Sequence, residues 1–236
     1  MVIGNGLMAK RFSAYQNQNE VVIFASGVSD SKSEDEKGFQ REVQLITKGL
    51  ENNPDSLFVY FSTCSINDPS LQHKPYLKHK LNIERVIAGS GNSYMIFRVS
   101  NVAGSGGNSK TIFHYLVNAV KEGLPFDLWM HAYRNLIDAD DLFALVDYLV
   151  SHGEINAITN IANPVSFHLP EMVSTMENYF GKKANYRKVE AGDFFHIDTS
   201  VVEKIAMQAG VDFDGDYLRR LLFKYYPLHD VPPITH

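Results

Sequence analysis

Val2-Ile3-Gly4-Asn5-Gly6-Leu7-Met8-Ala9 is the stretch whose reading decides the fold. Two apolar residues followed by Gly-x-Gly-x-x-Ala spell a very short strand, a glycine turn and a helix through about Tyr15. Glycines so spaced permit a tight turn and the close approach of a pyrophosphate to the helix N-terminus. A lone match is often only a turn. Position favours the binding reading here, because the pattern follows an apolar start and opens a helix.

Working outward, 236 residues with 44% hydrophobic and 21% charged side chains describe a soluble globular chain. That length suits one large domain, or a core domain with a smaller lobe. A net charge of −5 argues against a general nucleic-acid binder. No apolar run approaches the ~18 residues of a membrane span, and the N-terminus lacks the layout of a signal peptide. With Cys64 the single cysteine, no internal disulfide forms. The expectation is a cytoplasmic protein.

Glu20 to Gly27 is an apolar, β-branched run ending in small residues, as in a buried parallel strand that opens onto a ligand. Ser29 to Gly38 reads as a solvated loop. Phe39 to Leu50 has helical spacing, with Val43, Ile46, Thr47 and Leu50 on one side, and Asn52-Asn53-Pro54-Asp55 breaks it. Ser56 to Phe61 is the next buried strand, with Ser62, Thr63 and Ser65 at its C-terminal end, where open α/β sheets bind ligands. Cys64 has no paired base and reads as a small core residue.

Pro75-Tyr76-Leu77-Lys78-His79-Lys80 carries the chemistry. Pro75 suits a first helical turn, and Tyr76 and Lys80 then share one face. An ammonium beside a phenol favours the charged form, so the Tyr76 pKa is expected to fall. With Thr63 holding a substrate oxygen, the pair would pass a proton to or from a carbinol or carbonyl. A second Tyr-x-x-x-Lys, Tyr179/Lys183, is interrupted by Gly181 and lies near no hydroxyl-rich strand end.

Ser93 to Val99 reads as a strand, followed by the glycine-rich Ser100 to Asn108. Lys110 to Glu122 is helical, Phe126 to Met130 extended, and Arg134 to Asp138 leads into a helix from Ala139 to Ser151. Asp138, Asp140 and Asp141 read as helix-capping acids rather than a metal site. Ala157 to Ala162 is a strand and Leu169 to Gly181 an amphipathic helix. Shorter helices run to Tyr226, and Pro227 to Pro233 is an irregular tail. There is no H-E-x-x-H, no P-loop and no G-x-S-x-G, which argues against a zinc site, a P-loop NTPase and an α/β-hydrolase.

Taken in order, Gly4-x-Gly6-x-x-Ala9, Ser62-Thr63, Tyr76-x-x-x-Lys80, Arg98-x-x-Asn101 and Arg134-x-x-Ile137-x-x-Asp140-Asp141 resemble the extended short-chain dehydrogenase/reductase family, in its nucleotide-sugar epimerase, dehydratase and reductase group. The likeness runs from Met1 to about Tyr226. Asn160-Ile161-Ala162 with Pro164-Val165-Ser166 is similar to that family's turn into its substrate lobe. The resemblance implies a doubly wound, Rossmann-like parallel sheet (residues 1–104 with 134–162) and a small mixed α/β substrate lobe (105–133 with 163–236). It implies NAD or NADP as cofactor, a nucleotide-linked sugar as substrate, a homodimer through the Tyr76 helix, and neither nucleic acid nor membrane as partner. Thr63, Tyr76 and Lys80 would be catalytic, with Lys80 also holding the nicotinamide ribose. Gly4, Gly6, Leu7, Met8, Ala25, Ser26, Ser100 and Val102 would join Tyr76 and Lys80 around the cofactor. Ser65, Asn101 and Arg134 would meet the substrate.

The chain also departs from the family. Between Ala9 and Thr63 there is room for about one strand and one helix beyond the first unit, where the family has two further strands. Much of the adenosine-binding half is therefore expected to be missing. Glu20 lies at the distance of the family's ribose-binding acid but begins a strand. Lys10 and Arg11 stand where a 2′-phosphate would be met, so NAD and NADP both stay open. Cys64-Ser65 replace the Asp-Glu of the dehydratases, which favours reduction or epimerisation over elimination. A non-catalytic sensor or scaffold is the alternative.

Overall fold

A computed structural model describes residues 1–31, 33–105 and 111–228. The glycine-rich reading at Gly106, Gly107 and Asn108 and the end of the tail lie outside them. The chain begins β1 (Val2–Ile3), α1 (Leu7–Arg11), β2 (Val21–Phe24), α2 (Glu36–Glu51), β3 (Leu57–Thr63) and α3 (Pro75–Ala88). It continues β4 (Tyr94–Val99), β5 (Asn101–Ala103), α4 (Ile112–Glu122), β6 (Phe126–Trp129), β7 (Tyr133–Arg134), β8 (Leu136–Asp138) and α5 (Ala139–His152). Then come β9 (Ala157–Ile161), β10 (Phe167–His168), α6 (Leu169–Phe180), β11 (Tyr186–Val189), α7 (Ser200–Ile205) and α8 (Tyr217–Tyr225). The first helix is shorter than its sequence suggests: α1 stops at Arg11 and a 3-10 turn takes over at Ser13–Tyr15.

Five parallel strands form the main sheet in the order β1-β2-β3-β4-β9. Alternation along the strands divides the core between the two faces. Val22, Phe24, Phe58, Tyr60 and Ile96 pack under Ile46 and Leu50 of α2 and Ile83 and Ile87 of α3. Ile23, Val59, Phe97 and Val99 face the other way, onto Phe12 and onto Leu142, Leu145 and Val146 of α5. This is the expected Rossmann-like fold with a reduced strand number. No described strand lies beyond β1, as the short interval between Ala9 and Thr63 predicts.

The shortening has a topological consequence. Every connection from β1 to β4 advances the same way across the sheet. The chain after β1 packs on the α5 face, whereas α2 and α3 lie on the opposite face. The β1-α1-β2 connection therefore has the opposite hand to the two that follow. Parallel crossovers are right-handed in about 98% of cases, so the first is the left-handed one.

A further hydrophobic core is built on α4, α6 and α8, with Phe113, Leu116, Val120, Met172, Met176 and Leu222 at its centre. Parallel β6-β11 and antiparallel β7-β10 border it. α8 is fastened by the acids at the start of α5. Asp138 caps α5 by accepting from Asp140 N at 2.6 Å, and accepts from Lys224 Nζ at 2.7 Å and Tyr225 at 3.0 Å. Tyr217 donates to Asp141 at 2.6 Å and accepts from Asp138 N at 2.8 Å. Asp138 caps α5 as expected, and Asp140 and Asp141 stand in its first turn, bonded to Lys224 and Tyr217. Tyr217→Phe leaves a buried N–H and a carboxylate without this partner, so a loss of about 1–3 kcal/mol is expected in urea unfolding. An unchanged midpoint would show that this docking carries no stability.

Candidate functional site

All strands of the main sheet run parallel, so Gly4, Ala25-Ser26, Thr63 and Ser100 collect at one edge. Chain from β1 goes to one face and chain from β2 to the other, which opens a crevice between their C-terminal ends. At its mouth Gly4 has φ +137°, and a Cβ there would stand 2.5 Å from Ala25 O. Gly6 differs. A Cβ there would meet nothing within 4 Å, and no side chain caps the helix behind it. The turn thus leaves open space in front of an uncapped helix start, which fits the close approach of a pyrophosphate. Leu7 and Met8 follow in the first turn of α1. The adenosine end of a dinucleotide finds no described strand beyond β1, and Arg11 is ion-paired with Asp140.

Pro75 opens α3 as read, and Tyr76, Lys80, Ile83 and Ile87 all lie on its buried face. Thr63 ends β3. Its hydroxyl accepts from Ser65 N at 3.1 Å and lies close enough to the Tyr76 phenol to lower its pKa. The two predicted hydroxyls are neighbours.

Lys80 is placed differently from the expectation. It is 2% exposed, and its Nζ donates to Glu42 Oε1 at 3.0 Å and to the Tyr60 hydroxyl at 2.8 Å. Glu42, wholly buried on α2, also accepts from Tyr60 at 2.7 Å, Val28 N at 2.7 Å and His79 Nε2 at 2.9 Å. Burial alone would raise the Glu42 pKa. His79, the Lys80 charge, Val28 N–H and Tyr60 outweigh it and hold the carboxyl at about 2. Burial carries the Lys80 pKa below its ordinary value, with the Glu42 charge and hydrogen bond acting against it.

The Tyr76 pKa is therefore raised, not lowered. Burial is the main cause and the Glu42 charge the next, with Asp30 adding to them against the nearby Thr63 hydroxyl. The expected fall in the Tyr76 pKa requires an uncompensated Lys80 ammonium, and the Glu42 carboxylate compensates it.

Glu42 itself was missed. The buried stripe of α2 is Glu42, Ile46, Gly49 and Leu50, one position round from Val43, Ile46, Thr47 and Leu50. Its signal was a carboxylate one helical turn before Ile46, in line with the apolar residues. Cys64 is a core residue as read: it is 2% exposed, donates to Arg98 O at 2.9 Å, and burial raises its pKa to about 12.

On the lobe side, Asn101 Nδ2 donates to Asn135 O at 2.9 Å, leaving its Oδ1 to accept. Arg134 lies in β7, part-buried, donating to Tyr133 O at 2.7 Å and forming no ion pair with a described residue. The hydroxyl of Ser100 is buried with no hydrogen-bond partner among the described residues, Val102 is half-buried and Ser65 lies in the 3-10 turn after β3 (Cys64–Asn67). Asn135 and Asn163, also missed, tie β9 to the lobe: Asn135 Nδ2 donates to Asn163 O at 2.7 Å and its Oδ1 accepts from Asn163 N at 3.0 Å. The second Tyr-x-x-x-Lys is not a site. Tyr179 donates to Tyr226 O, Lys183 pairs with Glu177, and the left-handed Gly181 (φ +61°) separates them.

No protein-family model and no curated protein sequence matches the chain. Solved structures do share its fold. UDP-N-acetylglucosamine 4-epimerase from Methanobrevibacter ruminantium, in complex with UDP-N-acetylmuramic acid, superposes with a TM-score of 0.68 at 16% identity, over 93% of this chain and 79% of that one. The dTDP-glucose 4,6-dehydratase DesIV from Streptomyces venezuelae, with NAD bound, gives 0.69 at 16% over 94% and 79%. RMD from Pseudomonas aeruginosa, complexed with NADPH, gives 0.66 at 15% over 85% and 81%. At these identities the likeness is one of fold.

Proposed function

We propose that the chain is an NAD(P)-dependent oxidoreductase acting on a sugar linked to a nucleotide, a keto-sugar reductase before an epimerase. The observation that carries it is the Thr63–Tyr76 hydroxyl pair at the same sheet edge as the open Gly4–Gly6 turn. The nicotinamide, when bound, supplies the hydride. Gly4, Gly6, Leu7 and Met8 would hold its pyrophosphate, with Ala25, Ser26, Ser100 and Val102 lining the rest. Thr63 orients the carbonyl oxygen and Tyr76 gives it a proton. Arg134, with no ion pair among the described residues, is suited to the diphosphate, and Asn101 Oδ1 and Ser65 to sugar hydroxyls. A homodimer through α3 belongs to the same proposal.

The glycine turn gives a clean test. Gly6 has an ordinary φ of −78°, so Gly6→Val should leave urea stability within about 0.5 kcal/mol. Its side chain would fill the space the pyrophosphate needs, and NADH and NADPH affinity by calorimetry should drop at least about tenfold. Unchanged affinity would remove the cofactor site from this turn. If the unmutated protein binds neither dinucleotide, the sensor or scaffold reading takes over. One observation favours that second reading: the Lys80 ammonium is already engaged by Glu42.

A further inference from the structure

Glu42 is wholly buried and both its oxygens are fully occupied. Oε1 accepts from Lys80 and Tyr60, and Oε2 from Val28 N and His79. The carboxylate thus reaches Lys80 from α2 while Tyr60 closes the third side from β3. The Lys80 Nζ lies 5.8 Å from the Tyr76 ring centroid, so whatever neutralises the ammonium acts on the phenol too. Tyr60 and Thr63 on β3, Glu42 on α2, His79 and Glu84 on α3, and Asp30 from the loop after β2 are the other groups that bear on the pair.

We propose that Glu42 is a positioning residue that binds the Lys80 ammonium, so that the Lys80–Tyr76 couple keeps both protons at neutral pH and Tyr76 gives a proton rather than takes one. An uncompensated ammonium would stabilise the phenolate, the form that removes a proton from a hydroxyl. With the carboxylate in place the phenol stays protonated, as burial also demands. The consequence, which rests on the oxidoreductase reading above, is a direction of reaction. A bound reduced nicotinamide would supply hydride to a carbonyl carbon, and Tyr76 would give the carbonyl oxygen its proton. The C=O becomes CH–OH, and the phenolate is reprotonated from solvent. An epimerase must first deprotonate a hydroxyl, and a phenol held in its protonated form is poorly suited to that step.

The test is an NMR titration of the full chain from pH 6 upward, with carbon-13 at tyrosine Cζ and lysine Cε and assignments from Tyr76→Phe and Lys80→Met. In the unmutated protein the Tyr76 signal should stay flat up to about pH 10, the ordinary tyrosine range. In Glu42→Gln one member of the couple should release its proton lower by about one unit or more, and Glu42→Asp should restore the original behaviour. A well-dispersed Glu42→Gln spectrum with unshifted titrations would overturn the proposal. If Glu42→Gln does not fold, the unmutated protein decides alone: Tyr76 ionising below about pH 9 overturns it, and a flat signal supports it. Failure to turn over any keto-sugar would count against the oxidoreductase reading and leave this result standing.

Discussion

Tyr76→Phe should lower the rate of keto-sugar reduction by about 10²- to 10⁴-fold, the usual contribution of a positioned general acid. The ring is 6% exposed and packed with Ile66 and Leu77, and phenylalanine keeps that packing. The Thr63 hydroxyl keeps its hydrogen bond from Ser65 N. Stability should fall by only about 1 kcal/mol. Since the phenol's proton moves only in the transition state, kcat should drop while KM stays nearly constant. Thr63→Val serves as the graded control: it removes the group that orients the oxygen but leaves the acid in place, so its effect should be smaller. Stopped-flow oxidation of NADPH with a 4-keto nucleotide sugar gives both constants. Full activity in Tyr76→Phe would sink the catalytic reading, even with the cofactor bound.

The fold was legible wherever period and punctuation agreed. The apolar runs of β2, β3 and β4 are too short for helices and end in small residues. Pro75 marks the start of α3, and Tyr76 and Lys80 fall on one face whatever they touch. Asp138 capped α5 as its position promised. What failed depended on partners distant in sequence. The Lys80 counter-ion lies 38 residues upstream, on a helix whose buried face was read one position off, and the sign of the Tyr76 shift followed from that error. The two-residue strand β7, which carries Arg134, is too short to show a period. The hand of the first crossover was equally hidden. It follows from which strands are neighbours, and the glycine motif is the same for either hand.

A second ion pair on α3 carries the largest expected effect on stability. Glu84, 4% exposed, accepts from Arg98 Nε at 2.9 Å and Nη2 at 2.6 Å, and from Ser62 Oγ at 2.6 Å. This fork ties α3 to β4 and, through Ser62, to β3. Glu84→Ala would strand a half-buried guanidinium and a buried hydroxyl, and such a break costs about 3–5 kcal/mol. The Arg98 side chain is 22% exposed and can still reach water, so the lower end is expected, at about 3 kcal/mol. Urea unfolding should show this as a lower midpoint with an unchanged slope. Removing the partner as well should reverse much of the loss. A Glu84→Met, Arg98→Met chain exchanges two desolvated charges for apolar packing of similar volume, an exchange that is often neutral or stabilising. The double variant should therefore be more stable than Glu84→Ala. Additive losses would mean that Glu84 and Arg98 act independently, and that α3 holds Tyr76 in place through its apolar face alone.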